Sequence, residues 1–158
     1  MSAYSVLLVL HSWSRWLVVV FGLIALYRAY VGWTGQRRFV GADNGMGASF
    51  VGSMHLQVLL GLILYFGLSP YGLKGIENAG GMGAAMKDSA LRFWGVEHIT
   101  TMILAVVIAQ IGRSLSKKPA DAIIKHRRAA IYFGIALVLV LLMIPWGIWN
   151  PERPLFRF

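Results

Sequence analysis

The run "IALVLVLLMIPW", residues 135–146, decides the fold class of this chain. It is apolar on every side, and it is longer than the strand of a membrane barrel needs to be. Hydrocarbon offers no water to the backbone N–H and C=O groups, so a spanning segment must be a helix or part of a closed barrel. The run therefore predicts a transmembrane α-helix.

Three more apolar blocks precede it, and each is long enough for the roughly 20 residues that a helix needs to cross a bilayer. The fourth block turns apolar near residue 129, but Pro119 suits a first helical turn, so we place the start there. Short connections favour antiparallel neighbours. We predict an all-α membrane protein, an up-down-up-down four-helix transmembrane bundle in a lipid bilayer. It forms a single integral membrane domain over residues 1–158, with spans at about 5–27, 48–68, 91–111 and 119–146.

Composition excludes several classes of protein. The chain of 158 residues is 58% hydrophobic and 13% charged, whereas about a quarter of the residues of a soluble domain are charged. It has no cysteine, which excludes disulfides, cysteine-held iron–sulfur clusters and covalently attached c-type haem. The first block carries His11 and Arg15 and lacks a small-residue cleavage site, so we interpret it as a retained helix and not a signal peptide.

The net charge of +9 is distributed unevenly between the two ends of the predicted bundle. By the positive-inside rule, the loops with more basic residues are cytoplasmic, so both termini lie on the outer, periplasmic side of a bacterial inner membrane. Topology and anionic headgroups account for the charge, so nucleic acid is not a predicted partner. The basic residues at the predicted inner end are Arg28, Arg37, Arg38, Arg113, Lys117, Lys118, Lys125, Arg127 and Arg128.

The four histidines fall one to each predicted helix, at positions 11, 55, 98 and 126. Each lies about seven residues after a predicted helix start, on the order of 10 Å from that end. Because the helices alternate in direction, His11 and His98 form an outer layer, and His55 and His126 form a cytoplasmic one. Within each layer the two histidines lie on diagonal helices and face each other across the bundle axis.

Two opposed imidazoles are what a six-coordinate haem requires, and imidazole suits iron. We therefore predict two non-covalent haem b groups, an outer one held by His11 and His98 and an inner one held by His55 and His126. Taken alone, a histidine near a membrane surface is commonly a solvated helix-end residue, and His126 fits that description. Zinc or copper would need three or four ligands converging on one point.

Haem propionates need cations near the membrane surface, and the sequence offers them at both ends. The candidates are Arg15, Lys87 and Arg92 for the outer group, and Lys125, Arg127 and Arg128 for the inner one. A macrocycle also needs small residues where it passes a helix, although such residues pack transmembrane helices without any cofactor as well. Those at helical spacing from the histidines are Gly22, Ser49, Gly52, Thr101, Ala105, Ala130 and Gly134.

Glu97 is the candidate proton relay of an outer quinone site, because a carboxyl group at a helix mouth can exchange protons with a bound quinone. The alternatives are an ion pair with Arg15 or Arg92, or a hydrogen bond that orients a histidine ring. Gln57, Tyr65 and Gln110 are weaker candidates and more typical of hydrogen bonds between helices.

Four motifs resemble a family of small bacterial four-helix membrane proteins that is generally labelled cytochrome b. They are "HSWSRW" (11–16), "HLQVLLGLILYF" (55–66), "AMKDSALRFWGVEHITTMILA" (85–105) and "KHRRAAIYF" (125–133). The resemblance covers almost the whole chain and implies haem-ligand roles for His11, His55, His98 and His126. More distantly, the plan is similar to cytochrome b-561 and other dihaem quinone-linked cytochromes. The ligand spacing differs from the cytochrome b-561 pattern, so that family's substrates are not implied.

The function that we expect is a dihaem b-type cytochrome that carries electrons across the membrane, between a quinone/quinol pool and a redox partner. It would then act as a quinone-linked oxidoreductase or as an electron-transfer protein, with quinone as a possible further ligand. An alternative is a haem- or pigment-binding anchor subunit of a larger respiratory or photosynthetic membrane complex. A small transporter is the least favoured class, because no proline interrupts a span at mid-membrane.

Overall fold

The computed structural model describes residues 2–146 and 154–156, and this part of the chain is helical with no strand. Four of its helical segments are long and apolar enough to cross a membrane. The helices are α1 (Ala3–Thr34), α2 (Gly41–Ile63), α3 (Leu73–Asn78), α4 (Met82–Ala85), α5 (Ser89–Arg92), α6 (His98–Lys117) and α7 (Ala122–Met143).

The four long helices form an antiparallel ring in which α1 packs on α2 and α7, and α6 packs on α7 and α2. Helices α1 and α6 are therefore diagonal, as are α2 and α7. Of the adjacent pairs, α2 and α6 pack least closely. The predicted fold class, an all-α four-helix membrane bundle, is confirmed.

At the end of the bundle that holds the α1–α2 and α6–α7 connections, called the inner end after the predicted topology, the first two helices extend beyond their apolar blocks. Helix α1 continues to Thr34, and α2 begins at Gly41 instead of near residue 48. The reason is a charged cluster around Asp43, whose side chain is only 3% exposed and accepts from Arg28 at 2.9 Å and Arg37 at 3.0 Å. Its second carboxylate oxygen accepts from the Val40 N–H, which caps the first turn of α2.

Helix α7 is shorter than the predicted fourth span at both ends. It begins at Ala122, three residues after Pro119, and ends at Met143. Lys118 and Ile144 each precede a proline and have extended backbone, with ψ of 149° and 132°. A proline ring disfavours the helical conformation of the residue before it, so Pro119 ends α6 and Pro145 ends α7. The start of α7 follows Asp121, whose ψ of 148° is not helical.

The outer end is closed by the connection between α2 and α6. Helix α2 continues as a π-helical turn, Leu64–Leu68, and a second π-helical turn, Phe93–Glu97, leads into α6. Between them lie α3, α4 and α5, and α3 packs closely through two glycines. A Cβ atom on Gly72 would lie 2.1 Å from the Tyr65 carbonyl oxygen, and one on Gly75 would lie 2.0 Å from that of Pro70. This cap fixes the turn that presents His98.

Candidate functional site

A cavity of about 150 Å³ lies in the outer half of the bundle and is mostly apolar. It is lined by residues of all four long helices and of the outer cap. The polar side chains that line it include His11, Arg15, Gln57, Tyr65 and His98. The cavity thus contains both histidines of the predicted outer layer, His11 and His98.

His11 and His98 approach each other across the bundle, from the diagonal helices α1 and α6. Their ring centroids are 6.4 Å apart, and the ring planes are inclined by 68°. An imidazole nitrogen binds a metal at about 2 Å, with the ring centroid roughly 1 Å behind it, so two imidazoles on opposite sides of one metal have centroids roughly 6 Å apart. The observed spacing therefore suits a single metal centre held between the two rings.

The His11 ring is positioned by α2. Gln57 donates a hydrogen bond of 2.8 Å to the His11 carbonyl oxygen and accepts one from the Ser14 hydroxyl, as expected of a residue that joins two helices. Gly61 leaves room for the ring, because a Cβ atom there would lie 3.2 Å from His11 Cε1. The Nδ1 atom of His11 is buried and has no hydrogen-bond partner among the described residues.

The His98 ring is positioned by the π-helical turn that precedes it. This turn places Trp94 at 5.3 Å and Phe93 at 6.2 Å from the histidine, measured between ring centroids. Gly95, within the turn, is buried against the Tyr71 carbonyl and the Ile76 side chain. Single π-helical turns within α-helices occur frequently at functional sites, since they change which side chains face inward.

The two imidazoles are not a conventional metal-ion site. Within residues 2–146 and 154–156, no group of three or more histidine or acidic side chains is arranged to hold a metal ion. Two opposed ligands suit a planar cofactor that supplies the remaining metal ligands itself. A cavity of about 150 Å³ accommodates a ring of benzene size, which is smaller than a tetrapyrrole. A bound tetrapyrrole would therefore require the helices to separate, and α2 and α6 are the adjacent pair that packs least closely.

The inner pair is not assembled in this structure. His126 is completely buried, with Gly32 on one side, where a Cβ atom would lie 2.2 Å from the ring, and Phe39 at a centroid distance of 5.0 Å. Its Nε2 atom lies 3.4 Å from the Arg38 carbonyl oxygen. His55, in contrast, is exposed on the side of α2 that points away from the bundle. The prediction that these two side chains face each other does not match their placement.

The physical reason lies in where the helices begin. His55 lies 14 residues after Gly41, the first residue of α2, and not seven after a start near residue 48. His126 lies only four residues after Ala122, the start of α7. The two histidines are therefore at different distances from the inner end. Their directions also differ, because each is set by its position on the helix surface.

Of the six predicted propionate partners, only Arg15 lines the cavity. Its guanidinium donates to the Leu155 carbonyl oxygen and lies 5.3 Å from the ring centroid of Trp16. Arg92 pairs with Glu97 at 3.0 Å, with both side chains more than 40% exposed, and Lys87 is exposed. The three inner candidates are remote from the cavity: Lys125 lies over Phe39, Arg128 donates to the Leu115 carbonyl, and Arg127 is exposed.

Glu97 also lies outside the cavity, in its ion pair with Arg92, which is one of the alternatives that the sequence offered. Two of the weaker candidates, Gln57 and Tyr65, do line the cavity. Gln110 is exposed and donates to Ser114 one turn later in its own helix.

Most of the small residues expected beside a macrocycle serve other purposes. Gly22 packs against Phe50, whose ring would be 2.8 Å from an added Cβ atom, and Gly134 lies near Leu26. Gly52 is exposed and points away from the bundle. Ala105 and Ala130 are buried and belong to the hydrophobic core. Ser49 and Thr101 are half-buried and do not line the cavity.

Sequence reasoning missed Gly61 and the C-terminal segment Pro154–Phe156. Pro154 lines the cavity, and the Phe156 ring stacks on Trp16 at a centroid distance of 5.2 Å and an angle of 14°. For Gly61 the signal was a position on the α1-facing side of α2, one turn after Gln57. For the C-terminal segment no pattern in the sequence indicated its placement.

Comparisons of the chain with protein-family models, with curated proteins and with solved structures found no match. The resemblance to small bacterial cytochromes b therefore stays a prediction.

Proposed function

We propose that this multi-pass membrane protein is a b-type cytochrome that carries electrons, with one haem b held by His11 and His98. The observation that carries the proposal is the 6.4 Å separation of the two ring centroids across the cavity. Two imidazoles on diagonal helices meet at the spacing that a single iron requires, and the cavity between them is mostly apolar. The second haem, expected at His55 and His126, has no comparable support.

The chain's own residues supply the binding and orientation of such a group. His11 and His98 would hold the iron. From α2, Gln57 binds the His11 backbone carbonyl, and Gly61 leaves room for the His11 ring. Arg15 is the cation at the cavity mouth that suits a propionate. Haem iron with two axial imidazoles moves single electrons without binding a gas at the metal.

The redox partners follow from where the site lies. The cavity is in the outer half of the bundle and is mostly apolar, which suits exchange with a lipid-soluble carrier such as a quinol. The basic inner end supports a bacterial inner membrane with both termini on the periplasmic side. The electron acceptor would then be a periplasmic or membrane-bound redox protein.

A second candidate is a haem- or pigment-binding anchor subunit of a larger respiratory or photosynthetic membrane complex. The observation that favours it is the exposed His55 at mid-membrane, since a polar side chain there needs a protein partner. Under this alternative the same haem would be retained, but it would be oxidised and reduced only within the assembled complex.

The test is a reduced-minus-oxidised spectrum of the protein purified after expression with ample haem supply, with His11→Ala and His98→Ala as variants. The proposal predicts one b-type signal that both variants remove and that a soluble quinol analogue reduces. A colourless protein, or variants that retain the signal, would overturn it. A haem that is present but inert towards quinol would favour the anchor subunit.

A further inference from the structure

The side of α2 that points away from the bundle carries a histidine, His55, which lipid tails cannot hydrogen-bond. His55 is exposed, and no hydrogen bond or ring contact to it exists within residues 2–146 and 154–156. It lies 12 residues after Asp43, which pairs with Arg28 and Arg37. We place the inner membrane boundary at this charged cluster, because charged side chains are costly within the hydrocarbon. His55 is then about 18 Å from this boundary along the helix, near the middle of a hydrocarbon layer about 30 Å thick.

A lone imidazole at this depth is costly, because neither lipid tails nor water supply it with a hydrogen bond. Polar side chains within the hydrocarbon almost always contact protein or a water-filled cavity. His55 is not among the residues that line the cavity. A protein surface outside the described chain is therefore the partner that this face requires.

The residues around His55 are suited to a close helix–helix contact. Every third or fourth residue before it is small, and the glycines are open: a Cβ atom on Gly41, Gly45 or Gly52 would meet nothing within 4 Å. The two segments "GADNG" (41–45) and "ASFVG" (48–52) have small residues at a spacing of four, which lets two helix backbones approach in a membrane. After His55, the same face continues with the exposed side chains of Leu56, Leu59 and Ile63.

We propose that this face of α2 pairs with the same face of a second copy of the chain, so that the two His55 side chains meet at the centre of a two-fold interface. A two-fold contact places each residue on the axis against itself. A neutral imidazole has one N–H donor and one acceptor nitrogen, so two copies of His55 can satisfy each other. No charged side chain lies on the face between Asp43 and the outer cap to oppose this pairing.

The absence of cysteine from the natural sequence allows a direct test by cross-linking. Single variants Leu56→Cys and Leu59→Cys would be reconstituted in liposomes at low density and exposed to a membrane-permeant oxidant. The matched controls are Leu104→Cys on α6 and Val138→Cys on α7, because the native side chains are 52% and 55% exposed against 44% for Leu56 and 56% for Leu59. The proposal expects disulfide-linked dimers from the α2 variants only. Equal yields at all four positions would overturn it.

Two further substitutions test the chemistry of the interface by energy transfer between labelled chains in liposomes. Gly52→Leu fills space that is open in the single chain, so the fold is retained and the dimer is lost. His55→Leu weakens dimerisation about three- to twentyfold, the effect of one hydrogen bond between membrane helices. His55→Gln, which keeps a donor and an acceptor, restores it. A His55→Leu variant that dimerises as tightly as the natural chain would overturn the proposal.

The interface does not depend on the proposed haem, and measuring haem content in the same samples separates the two. If His55→Leu weakens the dimer while the haem signal is unchanged, His55 belongs to the interface. If it removes haem and leaves the dimer intact, His55 is a haem ligand and the interface proposal is wrong.

Discussion

The two histidines at the outer end of the bundle lie close together, whereas the two at the inner end do not. At the outer end, His11 and His98 come from diagonal helices into a shared cavity, with ring centroids 6.4 Å apart. At the inner end, His126 is enclosed by Gly32 and Phe39, and His55 faces outward. Histidines on the same four-helix plan thus meet across a cavity at one end, whereas at the other end one is buried in the packing and one is exposed.

The difference is made by the neighbours on the adjacent helix. A Cβ atom on Gly61 would lie 3.2 Å from the His11 ring, so this glycine leaves room for the ring, whose far side is open to the cavity. A Cβ atom on Gly32 would lie only 2.2 Å from the His126 ring, and that ring fills the gap between α1 and α7. A glycine opposite a histidine therefore leaves one ring facing a cavity and lets the other pack tightly between two helices.

The largest expected effect separates the two roles of histidine. His98→Ala should remove all haem absorbance, whereas His126→Ala should retain it and lower the free energy of unfolding by about 2–5 kcal/mol, as for other large buried side chains. Absorbance and unfolding in detergent, measured on the same preparations, check both. Loss of haem from His126→Ala with stability intact would reverse the assignment of the two ends.

The packing at the inner end can be tested at Gly32. Gly32→Ala forces the His126 ring to move, and overpacking of this kind costs about 1–3 kcal/mol of unfolding free energy. Gly41→Ala is the matched control, because its Cβ atom meets nothing within 4 Å. Equal stability of the two variants in detergent unfolding would show that His126 is not held against α1.

The charged cluster around Asp43 should contribute less. Asp43→Asn removes the charge that two arginines share, and because both arginines are partly exposed we expect a loss of about 1–2 kcal/mol. Asp121→Asn is the control at the same end, since Asp121 makes no side-chain capping hydrogen bond. The free energy of unfolding in detergent is measured for both variants. Raised salt should reduce the difference in stability between them, because salt screens the ion pairs of Asp43. A loss no greater than that of the control would mean that the cluster does not fix the start of α2.

The smallest effect concerns the fit of the outer site. Gly61→Ala should displace the His11 ring by a few tenths of an ångström and weaken haem binding by about tenfold or less, as for other residues that orient a ligand. Gly67→Ala, with no atom within 4 Å of its Cβ position, should bind haem as the natural chain does. Haem titration of the apoprotein measures both. Identical affinities would mean that α2 does not position His11.

The sequence predicts the number and direction of the long helices, but it does not predict where each helix begins. Apolar block lengths predicted four helices, and alternation of direction predicted that α1 and α6 lie on a diagonal, which brought His11 and His98 together. The prediction for the inner pair was wrong because both helix starts were misplaced. Helix α2 begins at Gly41, well before its apolar block, and α7 begins at Ala122 and not at Pro119, so His55 and His126 lie at different distances from the inner end.

Several details of the outer site could not be predicted from the sequence. The π-helical turn before His98 and the return of Pro154–Phe156 to the cavity depend on tertiary contacts, such as that between Arg15 and the Leu155 carbonyl, across 140 residues of chain. No local pattern carries that information. The role of Gln57 was accessible, because an amide within an apolar span has few partners other than a neighbouring helix.

The most direct measurement is the number of haem groups per chain, from a pyridine haemochrome assay on protein purified after expression with ample haem. The difference between the two ends predicts one haem per chain, unchanged by His55→Ala and lost in His11→Ala. Two haem groups per chain, with one lost on His55→Ala, would contradict the account, and so would a purified protein without haem.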